Sequence, residues 1–210
     1  MKKGIIFDLD GTLWDSSEQV VEAWNEVLAR YPDLNRKITA ADMQSYMGKT
    51  MYDIAALMLP DTDTVLRNRI MDECCENEHL YLEKHNGTLY PMLVETLSQL
   101  KEKGYALYIV SNCQDGYIQL FLKVNRLERY FDDIECQGAT GMPKSDNIAL
   151  VVKRNALDKA FYVGDTLLDM QSADKAGVPF IHAAYGFGRP DRKTPEINSF
   201  SELADIDNLF

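Results

Sequence analysis

Residues 4–16, GIIFDLDGTLWDS, decide how the rest of the chain is interpreted. The stretch opens with a continuous apolar run rich in β-branched and aromatic residues, which is typical of a buried strand in a parallel sheet. The run leads into two acidic residues, Asp8 and Asp10, and then Gly11 and Thr12. Residues i and i+2 leave a strand on the same side, so both carboxylates are expected to face one reacting centre.

Beyond this strand the chain divides into a helical stretch and an alternating stretch. Apolar residues at helical spacing, with a capping box at Thr39 and Asp42, predict four consecutive helices. From residue 87 onward strands alternate with helices, which indicates right-handed βαβ units. We predict an α/β fold, a Rossmann-like parallel sheet with helices on both faces and an inserted helical cap domain. The predicted catalytic core comprises residues 1–15 and 87–210, and the cap comprises residues 16–86.

Individual helix boundaries follow from proline and glycine. Pro91 is predicted to be the first residue of a helix that ends at Gly104, since proline is well accommodated at that position. A later helix is expected over residues 167–176, with Gly177 just past its end. The two segments that enter and leave the cap are expected to act as hinges.

Polar clusters follow several of the predicted strands. In an open parallel sheet, ligands bind outside the carboxyl ends of the strands. One such cluster alone would be explained as a helix cap, but four at one sheet edge are not. Besides the opening pair, the polar residues expected at this edge are Ser111, Asn112, Lys144, Asp165 and Asp169.

These residue types suit one chemical task. Two carboxylates in different surroundings can serve as nucleophile and proton donor. Asp165 and Asp169 add negative charge, and each like-charge pair costs roughly 3 kcal/mol at about 5 Å and an effective dielectric near 20. The cluster therefore needs a cation, and an all-oxygen set of ligands suits Mg²⁺. Lys144 adds a fixed positive charge.

Donors to a phosphate are also present. Gly11 allows close backbone approach, and its N–H group together with the hydroxyls of Thr12 and Ser111 can donate to phosphate oxygens. A carboxylate nucleophile, Mg²⁺, a lysine and such donors together indicate phosphoryl transfer through an aspartyl-phosphate.

Four segments, DLDGTLWDS, VSN, KSDN and VGDTLLD, resemble in order and spacing the motifs of the haloacid dehalogenase superfamily. The resemblance is strongest to its phosphoglycolate-phosphatase-like and β-phosphoglucomutase-like branch, which carries a helical cap after the first strand. It implies that Asp8 is the nucleophile and Asp10 the general acid and base. It implies an Mg²⁺ site made by Asp8, the Asp10 backbone carbonyl and Asp165, with Asp169 in support. The residues that it implies for holding the phosphoryl group are Thr12, Ser111, Asn112 and Lys144.

Asp10 narrows the branches of the superfamily that this chain resembles. Dehalogenases and phosphonoacetaldehyde hydrolases lack an acid there, so Asp10 argues against both. β-Phosphoglucomutases typically carry a cap arginine soon after a glycine, whereas Gly48-Lys49-Thr50 is followed by Met51. We therefore expect a phosphatase acting on a small phosphate monoester. A sugar-phosphate mutase and a non-catalytic binding protein remain as alternatives, and residues 48–51 are either a loop that closes over the substrate or a plain connector.

Composition limits partners and location. The net charge of −11 and the absence of a Lys/Arg cluster argue against nucleic-acid binding. Four cysteines without metal-ligand spacing are expected to be free thiols in a reducing compartment. The apolar stretch before Asp8 is too short for a signal peptide, and no window approaches the roughly 18 apolar residues of a membrane span. We expect a cytoplasmic enzyme with no membrane or nucleic-acid partner, and the oligomeric state stays open.

Overall fold

The computed structural model describes residues 1–208, and side chains as far as residue 206. A six-stranded sheet in the order β5-β4-β1-β6-β7-β8 forms its centre, and every pairing between neighbouring strands is parallel. Its strands are β1 Lys3–Phe7, β4 Tyr105–Ser111, β5 Asp133–Cys136, β6 Lys159–Gly164, β7 Phe180–Ala183 and β8 Glu196–Ile197. The apolar opening strand lies between β4 and β6, so the predicted α/β fold with a parallel sheet is confirmed.

Helices cover both faces of this sheet. Alternate residues of β1 face opposite sides, so Ile5 and Phe7 belong to one apolar cluster and Ile6 to the other. The first face is covered by α5 (Leu93–Glu102) and α6 (Tyr117–Asn125). The second face is covered by α8 (Lys144–Arg154) and α9 (Leu167–Ala176). A short helix α7 (Gln137–Thr140) follows β5.

Four α-helices lie between β1 and α5 in chain order. They are α1 Ser17–Leu28, α2 Ala40–Tyr46, α3 Met51–Met58 and α4 Thr64–Leu82. The expected capping box at the start of α2 is present, with Thr39 and Asp42 each accepting a backbone N–H of the other. Helix α1 packs against α2 and α4, and α3 packs against α4. The division of the chain into a core and a cap stays a prediction, and residues 209 and 210 of that core lie outside the described residues.

The two segments that join the helical unit to the sheet pair with each other. Strand β2 (Trp14–Asp15) and strand β3 (Thr88–Leu89) form an antiparallel ribbon. This ribbon was not predicted, because strands of two residues carry no readable periodicity. The predicted start of α5 at Pro91 is also too early. Pro91 lies in the preceding turn and the helix begins at Leu93, after Met92 adopts a left-handed conformation with φ 61°.

Smaller differences concern helix starts and the end of the chain. Lys144 is the first residue of α8 rather than the residue before that helix. Helix α9 and its terminating Gly177 agree with the prediction. Short 3₁₀ segments, which were not predicted, occupy Pro32–Leu34, Glu128–Tyr130 and Phe200–Asn208. Across residues 1–208, no helix combines the length and the apolar character that crossing a membrane requires.

Candidate active site

Asp8 lies immediately beyond β1, and its carboxylate accepts a hydrogen bond from Lys144, the first residue of α8. Lys144 Nζ donates to Asp8 Oδ1 at 2.9 Å and to Asp169 Oδ1 at 2.7 Å. All three side chains are almost completely buried. The lysine therefore bridges two carboxylates without competition from water, which strengthens each charge-assisted hydrogen bond.

Asp169 is also fixed by the helix on which it lies. Its Oδ2 accepts from the backbone N–H of Thr166 at 2.9 Å and from the Thr166 hydroxyl at 2.6 Å. In return, Thr166 Oγ1 accepts from the Asp169 N–H, which completes a capping box at the start of α9. Both oxygens of Asp169 are thus engaged, one by the helix start and one by Lys144. This supports the auxiliary role expected for Asp169.

Asp165 sits against glycines that leave room for its carboxylate. Gly11 has φ +81°, and a Cβ there would lie 2.4 Å from Asp165 Oδ2. A Cβ at Gly186 would lie 2.3 Å from Asp165 Cβ. The same Oδ2 accepts from the Phe187 backbone N–H at 2.7 Å. Any larger side chain at either glycine would displace Asp165, so both positions shape the site.

Three of these carboxylates are close enough to share a cation. One oxygen each from Asp8, Asp165 and Asp169 lie within 4.8 Å of one another. Asp165 Oδ1 is buried and has no hydrogen-bond partner in the described structure, which is unusual for a buried carboxylate oxygen. A single lysine cannot balance three carboxylates, and oxygen-only donors fit a hard divalent cation. The residues present therefore fit the expected Mg²⁺.

The electrostatics of this cluster follow from burial and crowding. Burial and the charge of Asp169 raise the pKa of Asp8 to about 7, although Lys144 acts in the opposite direction. Burial and the charges of Asp169 and Asp8 also raise the pKa of Asp165 well above its ordinary value. Burial alone would lower the pKa of Lys144, but the charges of Asp169 and Asp8 hold it well above its ordinary value. The lysine is therefore a permanent cation.

Asp10 faces a different set of partners. Its Oδ1 accepts from Trp14 Nε1 at 2.9 Å, from Ser16 Oγ at 3.1 Å and from the Tyr117 hydroxyl at 3.0 Å. The carboxylate of Asp10 does not belong to the buried trio, so its expected metal contact depends on the backbone carbonyl. All three donors contact Oδ1, and none of them engages Oδ2. The arrangement fixes the orientation of Asp10.

The protonation of Asp10 suits proton transfer near neutral pH. Burial raises its pKa to about 6, while the hydrogen bonds from Tyr117, Ser16 and Trp14 limit the rise. A general acid works best when its pKa lies near the working pH. Asp10 therefore has the protonation behaviour expected of an acid that later acts as a base.

Of the predicted phosphate-binding residues, Ser111, Asn112 and Lys144 line the same cavity as Asp8. Thr12 Oγ1 is buried without a hydrogen-bond partner in the described structure, as is Asn112 Oδ1. The Asn112 amide donates to the carbonyl of Gly48 at 2.8 Å, and the Ser111 side chain is buried beside the cavity. The Gly11 N–H, expected to face a phosphate, instead donates to the Trp14 carbonyl at 2.9 Å. That expectation is wrong because the turn uses this N–H internally.

A cavity of about 80 Å³ lies between the helical unit and the carboxyl end of the sheet. Asp8, Asp10 and Lys144 line its sheet side. Glu78 of α4 lines the opposite side and is buried, with its pKa raised to about 8 by desolvation. The loop at Gly48 and Lys49 also lines the cavity.

The structure brings together most of the residues predicted from the sequence. Asp8, Asp165, Asp169 and Lys144 form one buried cluster, and Asp10, Ser111 and Asn112 line the cavity beside Asp8 and Lys144. Their individual roles stay predictions. Sequence reasoning missed Tyr117, which lies 107 residues from Asp10 and carries no local signal. It also missed Glu78, Gln114 and Phe187 as site residues.

Comparisons with known proteins agree with this geometry. The haloacid dehalogenase-like hydrolase family matches residues 5–183. A phosphoglycolate phosphatase of Aquifex aeolicus is 28% identical over 215 residues, which cover 98% of this chain and 95% of that protein. Pyrophosphatase PpaX of Bacillus velezensis is 27% identical over 183 residues, covering 82% of this chain and 79% of that protein.

A solved structure shows the same fold over nearly the whole chain. The Bacteroides fragilis protein, described as haloacid dehalogenase-like hydrolase, has a TM-score of 0.84 and 25% identity, and the match covers 97% of this chain and 100% of that one. The prediction of a phosphatase-type enzyme of this superfamily is confirmed at that level. From its motifs, its fold and these relatives, the chain belongs to the haloacid dehalogenase-like hydrolase family.

Proposed function

We propose that this chain is an Mg²⁺-dependent phosphatase that hydrolyses small phosphate monoesters through an aspartyl-phosphate on Asp8. The observation that carries the proposal is the placement of Asp8, which shares a buried cluster with Lys144 and two further carboxylates and lines the same cavity as Asp10. Phosphate monoester hydrolysis is among the slowest uncatalysed reactions, so a dense arrangement of compensating charge is expected.

In the first step Asp8 attacks phosphorus. Lys144 engages Oδ1, so the attack is assigned to Oδ2. The bond from Oδ2 to phosphorus forms as the bond from phosphorus to the leaving oxygen breaks. Asp10, whose pKa is raised to about 6 by burial, gives its proton to that leaving oxygen.

In the second step water regenerates the enzyme. Asp10 takes a proton from the water, whose oxygen attacks phosphorus, and Asp8 is released as a carboxylate. Thr12, Ser111 and Asn112 orient the phosphoryl oxygens, a role supported for Thr12 by its buried hydroxyl, which has no hydrogen-bond partner among the described residues and can donate. Mg²⁺, when bound by Asp8, Asp165 and the Asp10 backbone carbonyl with Asp169 in support, supplies neutralising charge to the phosphoryl group.

The cavity and the relatives support a small substrate. About 80 Å³ is room for roughly five water molecules, which suits a short leaving group. The relatives are named for phosphoglycolate and for pyrophosphate, both small phosphorylated compounds. We further propose that residues 16–86 form a cap and that the loop at Gly48 closes over the substrate, supported by its hydrogen bond from Asn112. The four free thiols support a cytoplasmic location.

The cavity wall favours hydrolysis over the mutase alternative. Among the described residues that line the cavity there is no arginine to hold a second phosphate. Met51 lies in the wall, and Lys49 Nζ donates to the Ser45 carbonyl at 2.5 Å. Water is therefore the more suitable acceptor for the phosphoryl group.

Turnover of p-nitrophenyl phosphate with Mg²⁺ tests the proposal. Asp8→Asn is expected to lower kcat by about 10⁴-fold or more, because a nucleophile acts as a unit with its supporting groups. Asp146→Asn, at an exposed position on α8, is the matched control and is expected to retain activity. Activity that survives Asp8→Asn would overturn the nucleophile assignment. A requirement for a bisphosphate activator, with isomerised product, would favour the mutase.

A further inference from the structure

Most side chains on the helical side of the cavity are apolar. Its apolar side chains come from α1, the α2 region and α3, and they are Val20, Trp24, Met43, Tyr46, Met47, Met51 and Ile54. Glu78 from α4 is the acidic side chain on this side. It faces the same space as Asp8 and Asp10, so a leaving group that extends from the phosphate meets it. None of the proposed hydrolytic steps uses Glu78.

Neutral donors hold the Glu78 carboxyl in place. Trp24 Nε1 donates to Oε2 at 2.5 Å, and Gln114 Nε2 donates to Oε1 at 3.0 Å. Trp24 lies on α1, and Gln114 lies in the loop after β4, so the carboxyl is fixed from both the helical unit and the sheet. A carboxylate offers about four acceptor sites. The two protein donors leave each oxygen able to accept another hydrogen bond.

The protein supplies Glu78 with no cation. Within the described residues, no lysine, arginine or histidine forms an ion pair with it. The two lysines of the cavity wall are committed elsewhere, Lys144 to Asp8 and Asp169, and Lys49 to the Ser45 carbonyl. A buried carboxyl without a charged partner is unfavourable. A bound molecule is therefore a suitable source of the missing donor.

We propose that Glu78 selects the substrate: the preferred phosphate monoester carries a hydroxyl or ammonium group on its leaving group, which donates to Glu78, and the ionised form of Glu78 rejects an ester ending in a carboxylate. This inference rests on the proposed phosphatase function. The rejection follows because a carboxylate would meet Glu78 in a low-dielectric space, where like charges repel strongly. A buried polar group that waits for a donor also discriminates strongly against ligands without one.

The proposal separates this chain from the relatives named phosphoglycolate phosphatase, since phosphoglycolate ends in a carboxylate. The protonation of Glu78 must be controlled in the test, because a protonated carboxyl could donate to a carboxylate ligand. Burial raises the pKa of Glu78 to about 8, so the comparison is made above that pH. There the side chain is an acceptor only.

The test compares kcat/KM for glycerol phosphate, ethanolamine phosphate and phosphoglycolate, each divided by the value for p-nitrophenyl phosphate. The wild type is expected to prefer the hydroxyl and ammonium esters over phosphoglycolate by about 10- to 100-fold. Glu78→Gln is expected to reduce this ratio at least several-fold, most for ethanolamine phosphate. Glu76→Gln, at an exposed position on the same helix, is expected to leave all ratios unchanged.

Distinct results overturn the inference and the function on which it rests. A wild-type preference for phosphoglycolate, or a preference that Glu78→Gln does not change, overturns the role of Glu78. Absence of p-nitrophenyl phosphate turnover in the wild type overturns the phosphatase function instead. If Glu78→Gln does not fold, Glu78→Asp keeps the charge but withdraws it by one methylene. It is expected to lower the preference several-fold, and an unaltered preference would also overturn the inference.

Discussion

Two regions of this molecule bury carboxyl groups and handle their charge in opposite ways. At the sheet edge Asp8 and Asp169 share Lys144, and the oxygens of these two residues and Asp165 lie close enough for a cation. In the helical unit Glu78 has only the neutral donors Trp24 and Gln114. The first region is built for permanent charge. In the second region the Glu78 carboxyl is protonated or binds a ligand, because two neutral donors do not fully stabilise its ionised form.

Removing Lys144 is expected to have the largest effect on the carboxylate cluster at the sheet edge. Lys144→Met leaves buried carboxylates without their cation, and such a loss typically costs about 3–5 kcal/mol of stability. It also removes the charge next to Asp8, so turnover is expected to fall to background. Urea unfolding and p-nitrophenyl phosphate turnover measure the two effects. Lys153→Met, at an exposed position on the same helix, is expected to change neither. A stable, active Lys144→Met protein would contradict the shared-cation interpretation.

The pH dependence of stability reports directly on Glu78. Desolvation raises its pKa from 4.5 to about 8, so between these values the folded state holds a proton that the unfolded state releases. The stability that wild type gains from this proton is complete below pH 4.5 and is lost as the pH rises through about 8. Relative to Glu78→Gln, wild type is expected to lose on the order of 5 kcal/mol over this window.

Urea unfolding at several pH values measures that loss, with Glu76→Gln as the matched exposed control. The control is expected to follow wild type at every pH. A wild type that becomes more stable than Glu78→Gln as the pH rises would show that Glu78 is ionised in the folded protein.

Magnesium binding tests the carboxylate cluster at the sheet edge. A cation that binds only the folded state stabilises it by about 2.7 kcal/mol at 100 times its Kd. For a chain of this size that corresponds to roughly 5–10 °C in Tm. Wild type is expected to show such a shift with Mg²⁺, and Asp165→Asn is expected to lose most of it. Asp146→Asn is expected to keep this shift in Tm. A shift in Asp165→Asn equal to that of wild type would show that Mg²⁺ does not bind at Asp8, Asp165 and Asp169.

Asp10 shares a feature with each region, since its donors are neutral like those of Glu78 and it follows Asp8 by two residues at the sheet edge. The hydrogen bond from Tyr117 is one of the interactions that hold its pKa down to about 6. Tyr117→Phe is therefore expected to raise that pKa and to move the corresponding limb of the kcat/KM profile to higher pH. The effect on stability is expected to be about 1 kcal/mol. An unchanged pH profile would show that a different group governs that limb.

The carboxylate cluster at the sheet edge was predicted from the sequence far better than the buried Glu78 of the helical unit. Asp8, Lys144, Asp165 and Asp169 follow or begin regular elements at one sheet edge, so strand order and local spacing suffice to bring them together. Glu78 lies in an acidic stretch of α4, DECCENEH, where the pattern alone resembles a solvated helix face. Its burial depends on contacts with Trp24 and Gln114, which are distant in the sequence. Such long-range packing leaves no local periodicity.

The ribbon formed by β2 and β3 has a mechanical consequence. Trp14 pairs with Leu89 and Asp15 with Thr88. The two segments that join the helical unit to the sheet therefore form one connected ribbon instead of two independent links. A displacement of the helical unit must bend both segments together. Trp14 of this ribbon also donates to Asp10. Asp10 is therefore tied by a hydrogen bond to the paired segments, so a movement of these segments would also reorient its carboxylate.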